Sequence, residues 1–361
     1  MWRDGRVNTG EIVDELIDMA IRLQASDIHF DPRDDLVLVR LRIHGRLVDI
    51  DHVSSYAKLF TRQAVTRLKV LAKLSLAETR RPQDGHFHLQ GDFGECDLRV
   101  STIPTVQGER VVIRLIPEKS MFETFIALGM TNAQVAQLRA VVNGMGGMII
   151  VAGRIGTGKS TTLHAILAEK ARLGDSILTI EDPVERRILA YQQVEVDERI
   201  GLTFAEGLRA AVRQDPDVLM VGEIRDEMTA QIAVRAGLTG HLLLSTMHAD
   251  PGLQVIYRLL ELGISSDYVR QALKLVIWQT LQPIVCTMCK GSGCSSCHGL
   301  GIIGRRAEFS FLTSDAIERV VSGYQFKRNP TSSTIDQSTR NGGLAVAEET
   351  SGKTRYGEFP R

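Results

Sequence analysis

The chain has no net charge: Lys plus Arg and Asp plus Glu both number 43. A protein that lives on nucleic acid carries a basic footprint for the phosphates, so nucleic acid is not an expected partner. No run reaches the ~18 apolar residues needed to cross a bilayer. The first residues, Met1-Trp2-Arg3-Asp4-Gly5-Arg6, are polar and lack the apolar core of a secretory signal. These absences point to a cytoplasmic protein that meets a membrane only through a partner. Cysteine is sparse, with 5 in all. Cys96 stands alone in a strand-like run and reads as a small buried residue. The other four, Cys286, Cys289, Cys294 and Cys297, are clustered, which in a reducing compartment reads as metal ligation and not as disulfides.

What is present suits a protein of two domains with additions. The chain has 361 residues, more than one ordinary domain. Hydrophobic residues make up 43%, ample for buried cores. Ile12, Val13, Leu16, Ile17, Ala20 and Ile21 recur at helical spacing. Strand-like runs follow at 28–30 and 36–43, then a helical stretch at 57–77, then strands near 86–90, 97–103 and 110–117, with Pro104 closing one of them. Residues 1–118 therefore predict an α+β domain, and 119–146 a helical connector. From Gly147 apolar strands alternate with helices, at 148–152, 176–180, 218–222 and 242–246. Unbroken apolar strands of this kind belong to a parallel sheet covered on both faces, so 147–285 predicts an α/β core. Residues 286–306 form a Cys/Gly-rich element, and 307–361 a helical to loosely ordered tail.

Gly153-Arg154-Ile155-Gly156-Thr157-Gly158-Lys159-Ser160 fits the phosphate-loop pattern G-x-x-x-x-G-K-[ST], and Thr161 follows it. Composition alone would yield such a string in roughly one chain in a hundred, and the context narrows that further. An apolar strand precedes the loop and a helical run follows it, as the chemistry requires. Glycines let backbone N–H groups turn toward phosphates, and a helix N-terminus adds positive potential. Lys159 is placed to contact the β- and γ-phosphates of ATP, and the Ser160 hydroxyl to ligate Mg²⁺. Hydrolysis also needs a carboxylate to orient water. Glu181 and Glu223 both sit at the ends of apolar strands, where ligands of open α/β sheets collect. His241 and His248 bracket another strand of the same sheet, and a neutral imidazole there is able to sense the γ-phosphate. Each of these residues also has a bland reading, as a solvated acid or a satisfied structural histidine.

CTMCKGSG at 286–293 and CSSCHGLG at 294–301 both read C-x-x-C-x-G-x-G. Each C-x-x-C presents two thiolates, and four thiolates close a tetrahedral Zn²⁺ site with no open position. The site is expected to be structural, with His298 outside it.

On these motifs the sequence resembles the type II secretion and type IV pilus assembly ATPases, the competence pseudopilus ATPases among them. TIEDPVE (179–185), RQDPDVLMVGEIRD (213–226) and AGLTGHLLLSTMH (236–248) resemble the family's Asp box, Walker B segment and His box. SDIHFDP (26–32), RRPQDGH (80–86) and LRVSTIPTVQGERVVIRL (98–115) resemble its N-terminal, PAS-like domain. The resemblance implies a RecA-like ATPase core and a homohexamer working against an inner-membrane platform protein. It also implies arginines of the first domain, among Arg99, Arg110 and Arg114, that reach the phosphates. The four cysteines favour an assembly motor over a retraction motor; the other readings weighed are a retraction ATPase and a RecA-like nucleic-acid motor. Arg154, Thr280 and Ser310 depart from the usual Pro, Arg and Glu. The short spacing between the cysteine pairs resembles the competence members. The further N-terminal docking domain of larger members is expected to be absent.

Overall fold

The computed structural model describes residues 9–33, 36–49, 62–91, 94–117, 124–144, 146–185 and 187–328. The chain opens with α1 (Thr9–Arg22), β1 (Ala25–Arg33), β2 (Leu36–Ile43), β3 (Arg46–Asp49), α2 (Arg62–Leu71), β4 (Gln83–Gly91), β5 (Gly94–Thr105) and β6 (Gly108–Pro117). The strands form an antiparallel sheet in the order β3-β2-β1-β6-β5-β4. Alternation along them separates two faces. Ile28, Phe30, Leu41, Leu98, Ile113 and their neighbours are buried with Val13, Leu16 and Ile17 of α1 and Leu68 of α2.

The other face carries charge. Asp31 accepts from Arg40 at 2.5 Å and from Arg110 at 2.6 Å. Burial alone would raise the Asp31 pKa, but these two guanidiniums outweigh it and hold the carboxyl below its ordinary range. Lys69, at the end of α2, is 2% exposed. Its ammonium donates to Glu109 at 2.9 Å and to the Glu78 carbonyl at 2.8 Å, tying the helix to a hairpin and a loop.

The second half runs α3 (Asn132–Val142), β7 (Gly147–Ala152), α4 (Lys159–Leu173), β8 (Ile177–Glu181), β9 (Gln192–Glu195), α5 (Phe204–Ala211), β10 (Val218–Val221), α6 (Glu227–Leu238), β11 (Leu242–Met247), α7 (Gln254–Glu261), α8 (Ser266–Ala272), β12 (Leu273–Val285), β13 (Ile302–Thr313) and α9 (Ser314–Arg328). Its sheet has the order β13-β12-β7-β11-β10-β8-β9, parallel except for β13. Every residue of β7, β10 and β11 is buried. Leu138 of α3 and Leu163 and Ile166 of α4 cover one face. Leu208, Ala233, Val255, Val269 and Ile317 from α5 to α9 cover the other. Helices on both sides explain why these strands read as unbroken apolar runs.

Several expectations need correction. The helix placed at 57–77 spans only Arg62–Leu71 among described residues, and 57–61 lie outside them. Pro104 does not close its strand; it lies inside β5. In the connector the helix is confined to Asn132–Val142, with 118–123 and 145 outside the described residues. The segment from 307 is not a tail at its start: β13 runs across that boundary and pairs with β12 over its whole length. The part from 329 lies outside the described residues. β3, β9, β12 and β13 have no counterpart in the strands expected from sequence.

Candidate functional site

The glycine-rich loop joins β7 to α4. Gly153 has φ 151°, and a Cβ there would meet the Gln279 carbonyl oxygen at 2.4 Å, so no other residue fits. Helices α3, α5, α6 and α8 are capped by the side chains of Thr131, Thr203, Asp226 and Ser265. Helix α4 starts behind Gly158 with no side-chain cap, which leaves its first amides to a ligand. Arg154, Ile155 and Gly156 are exposed on the loop, as are Ser160 and Thr161 in the first turn of the helix, while Thr157 is buried.

The Lys159 side chain is folded back along the loop. Its ammonium donates to the carbonyls of Gly153 at 3.1 Å and Arg154 at 3.0 Å, and lies 3.3 Å from His248 Nδ1. Burial pushes the Lys159 pKa down, and the charge of Glu223 partly restores it. His248 Nε2 in turn lies 3.7 Å from Glu223 Oε2, and the other Glu223 oxygen is paired with Arg225. If Nδ1 takes the Lys159 proton donor, Nε2 carries the ring hydrogen and faces the carboxylate. Three residues singled out in the sequence thus meet at the carboxyl edge of adjacent strands. The backbone makes this possible: Thr246 Oγ1 donates to the Gly222 carbonyl at 2.7 Å and the Ile224 amide to the Thr246 carbonyl at 3.2 Å, locking the ends of β10 and β11 together.

The remaining candidates are placed differently. Glu181 is 6% exposed and accepts from Thr179 Oγ1 at 2.6 Å and Gln193 Nε2 at 2.9 Å. His241 lies at the opposite end of β11 from His248, with Nδ1 3.1 Å from the Ala236 carbonyl. The arginines divide. Arg99 and Arg114 are cross-strand neighbours and line a cleft of about 1070 Å³ between the first sheet and residues Val184, Glu185 and Arg187. Arg99 donates to the Val184 carbonyl at 3.4 Å, and Arg114 to Asp27 at 3.3 Å. Arg110 faces elsewhere, toward Asp31 and His29. Among the described residues, none of 153–160 lines this cleft. Sequence reasoning missed Arg187, and it missed Gln279, whose amide touches both the loop and α4.

The four thiols converge. Sγ–Sγ separations are 3.9 Å for Cys286–Cys294 and 3.7 Å for both Cys289–Cys297 and Cys294–Cys297. Tetrahedral Zn–S bonds of ~2.3 Å give edges of ~3.8 Å, so the donor set fits such an ion. Burial raises the Cys297 pKa, but amide hydrogen bonds from Cys294 and Gly301 outweigh it and bring the thiol down to about 6. His298 is exposed and outside the group. Leu300 and Ile302, just past the last cysteine, are buried in the core of the first sheet, and Arg46 of β3 donates to the Leu300 carbonyl at 2.9 Å. Cys96 is buried, as its lone position suggested.

Strand, glycine loop and helix, with a lysine, an imidazole and a carboxylate converging at the sheet's carboxyl edge, are the architecture of a P-loop protein of the mixed α/β class. Within that class the chain belongs to the Type II/IV secretion system protein family, whose sequence profile matches residues 4–356. It is 39% identical over 319 residues to the type II secretion system protein HxcR of Pseudomonas aeruginosa, covering 86% of this chain and 67% of that protein. It is 37% identical over 337 residues to the type II secretion system ATPase E of Vibrio cholerae, covering 86% and 66%. The chain thus spans about two thirds or less of the length of such relatives; for the type II secretion system protein E of Xanthomonas campestris the share is 47%. The fold matches the Legionella pneumophila ATPase DotB with a TM-score of 0.69 at 20% identity, over 91% of this chain and 90% of that one. It also matches the pilus retraction motor PilT, solved with bound ADP, with a TM-score of 0.63 at 24% identity, over 87% and 88%. Among the described residues no helix is long and apolar enough to cross a membrane.

Proposed function

We propose that this protein is an ATPase that powers the assembly of a type II secretion pseudopilus, a competence pseudopilus or a type IV pilus. The observation that carries the reading is the chain of contacts from the loop carbonyls through Lys159 and His248 to Glu223. Family membership supports ATP as the nucleotide. The second sheet is read as a RecA-like core, the first as a PAS-like domain, and 286–306 as a zinc element.

In this reading the triphosphate displaces the Gly153 and Arg154 carbonyls from the Lys159 ammonium, which turns to the β- and γ-phosphates. The amides of 156–161 hold the phosphates at the uncapped start of α4. Mg²⁺, held through the Ser160 hydroxyl, would neutralise charge on the β- and γ-phosphates. Glu223 orients the attacking water, while Arg225 pairs with its other oxygen. His248, between lysine and carboxylate, is placed to report whether the γ-phosphate is present. Glu181 anchors the neighbouring strand through Oε1, which accepts from both Thr179 and Gln193. Arg99 and Arg114, and not Arg110, line the cleft, and its closing would bring them toward nucleotide.

The family resemblance supports a homohexamer docked on an inner-membrane platform protein at the cytoplasmic face. The cysteine cluster favours assembly over retraction. The four cysteines would hold one structural Zn²⁺. Full-length protein with Mg²⁺ and ATP tests the reading. Glu223→Gln and Lys159→Ala should each lower turnover at least 100-fold, and turnover at the wild-type rate in either variant sinks the mechanism.

A further inference from the structure

The phosphate loop is gripped from behind by a side chain of β12. Gln279 lies on β12, beside β7, and is 3% exposed. Its Nε2 donates to the Thr157 carbonyl at 2.7 Å, and its Oε1 accepts from Thr162 Oγ1 at 2.7 Å. A carbonyl only accepts, so the amide has one orientation, with its NH₂ toward the loop and its oxygen toward the helix. The backbone carbonyl of Gln279 fills the space where Gly153 would carry a Cβ, and Nε2 lies 3.0 Å from the corresponding point at Gly158. Both ends of the loop therefore close on this one residue.

A phosphate loop works by turning successive N–H groups inward, which turns carbonyls outward. A buried carbonyl needs a donor, and an unmet one is costly. Gln279 supplies that donor to Thr157 while its other end is fixed to α4. We propose that Gln279 is a positioning residue that sets the curvature of the phosphate loop, so that its loss weakens nucleotide binding although it touches no nucleotide. This rests on the reading of the 153–160 loop as the nucleotide site.

The test uses the full-length chain, calorimetric titration with Mg²⁺-ADP, and steady-state ATP turnover. Gln279→Glu is nearly isosteric: it keeps an acceptor for Thr162 but sets a carboxylate oxygen against the Thr157 carbonyl. Gln279→Met keeps the volume and loses both bonds. Each should raise the Kd for Mg²⁺-ADP and the KM for ATP by about tenfold or more (about 1.4 kcal/mol), with kcat changed less than threefold. Thr162→Val should give a smaller loss in Kd, and Thr162→Ser should restore it. A folded Gln279→Glu with Kd within twofold of wild type overturns the proposal, as does a loss confined to kcat. Should neither Gln279 variant fold, an unchanged Kd in Thr162→Val overturns it alone. If wild-type protein fails to bind Mg²⁺-ADP, the nucleotide-site reading falls with it. If wild type binds, Lys159→Ala does not and Gln279→Glu binds normally, only the positioning role is lost.

Discussion

Stripping metal from the cysteine knuckle should loosen the first sheet, although none of the knuckle's four cysteines belongs to that sheet. The knuckle spans Cys286 to Cys297, and the residues just beyond it, Leu300 and Ile302, are 7% and 5% exposed inside the first sheet's core. Arg46 of β3 is bonded to the Leu300 carbonyl. Burying a Leu or Ile side chain is worth about 1.5–3 kcal/mol, so the two together set a ceiling of about 3–6 kcal/mol. A released knuckle still touches the sheet part of the time, and a discount of about one third leaves roughly 2–4 kcal/mol. Local opening of β2 and β3 should then become roughly 30- to 700-fold more frequent, at a factor of ten per 1.4 kcal/mol. The assay is hydrogen exchange by mass spectrometry on the full-length chain before and after chelation, with bound metal counted in parallel. Peptides covering 36–49 should exchange faster by that factor, while peptides of β7 and β10 stay protected. Cys289→Ser should reproduce the change without chelator. Complete loss of metal with exchange at 36–49 within threefold of the starting rate would refute the coupling.

Two further expectations concern the first sheet. Removing one side of the buried Lys69–Glu109 pair leaves the other charge stranded, so Lys69→Ala should cost about 3–5 kcal/mol in urea unfolding, whereas Lys69→Met with Glu109→Leu should cost far less; equal losses in the two would contradict the argument. His29 is 7% exposed, and its Nδ1 lies 3.0 Å from an Arg110 nitrogen. Burial first, then Arg110 and Arg42, push its pKa below 6.5, against the pull of Asp27 and Asp31. The unfolded chain therefore binds the proton more readily than the folded one. The stability of the neutral form is complete above about pH 6.5 and is lost as pH falls from there through the lowered pKa. Urea midpoints at pH 5.5 and 7.5 should differ more for wild type than for His29→Gln; identical differences would remove His29 from the account.

How much of this was legible in the sequence follows from the distance over which each feature is built. The phosphate loop and the cysteine knuckle are each specified within about a dozen residues, by turns and ligands that local spacing encodes. The apolar strands 148–152 and 242–246 were equally plain, because a strand covered on both faces has no polar positions to blur it. Strand β12 was not: its first half is buried and its second half, through Gln282, Pro283 and Val285, runs into solvent, so no single period describes it. The same distance separates the histidines. His241 and His248 are equivalent in sequence, each flanking β11, but a strand has two ends, and only one of them is the edge where the phosphate loop lies. For Arg99, Arg110 and Arg114 the deciding fact is cross-strand register, which pairs Arg99 with Arg114 and leaves Arg110 opposite Ile103 and within reach of Asp31. Gln279 is the extreme case. It lies 122 residues from Thr157 and 117 from Thr162 in sequence, and its partners are a backbone carbonyl and a hydroxyl that any residue order could supply. Only the parallel pairing of β12 with β7 gives a plain glutamine the back of the loop to hold.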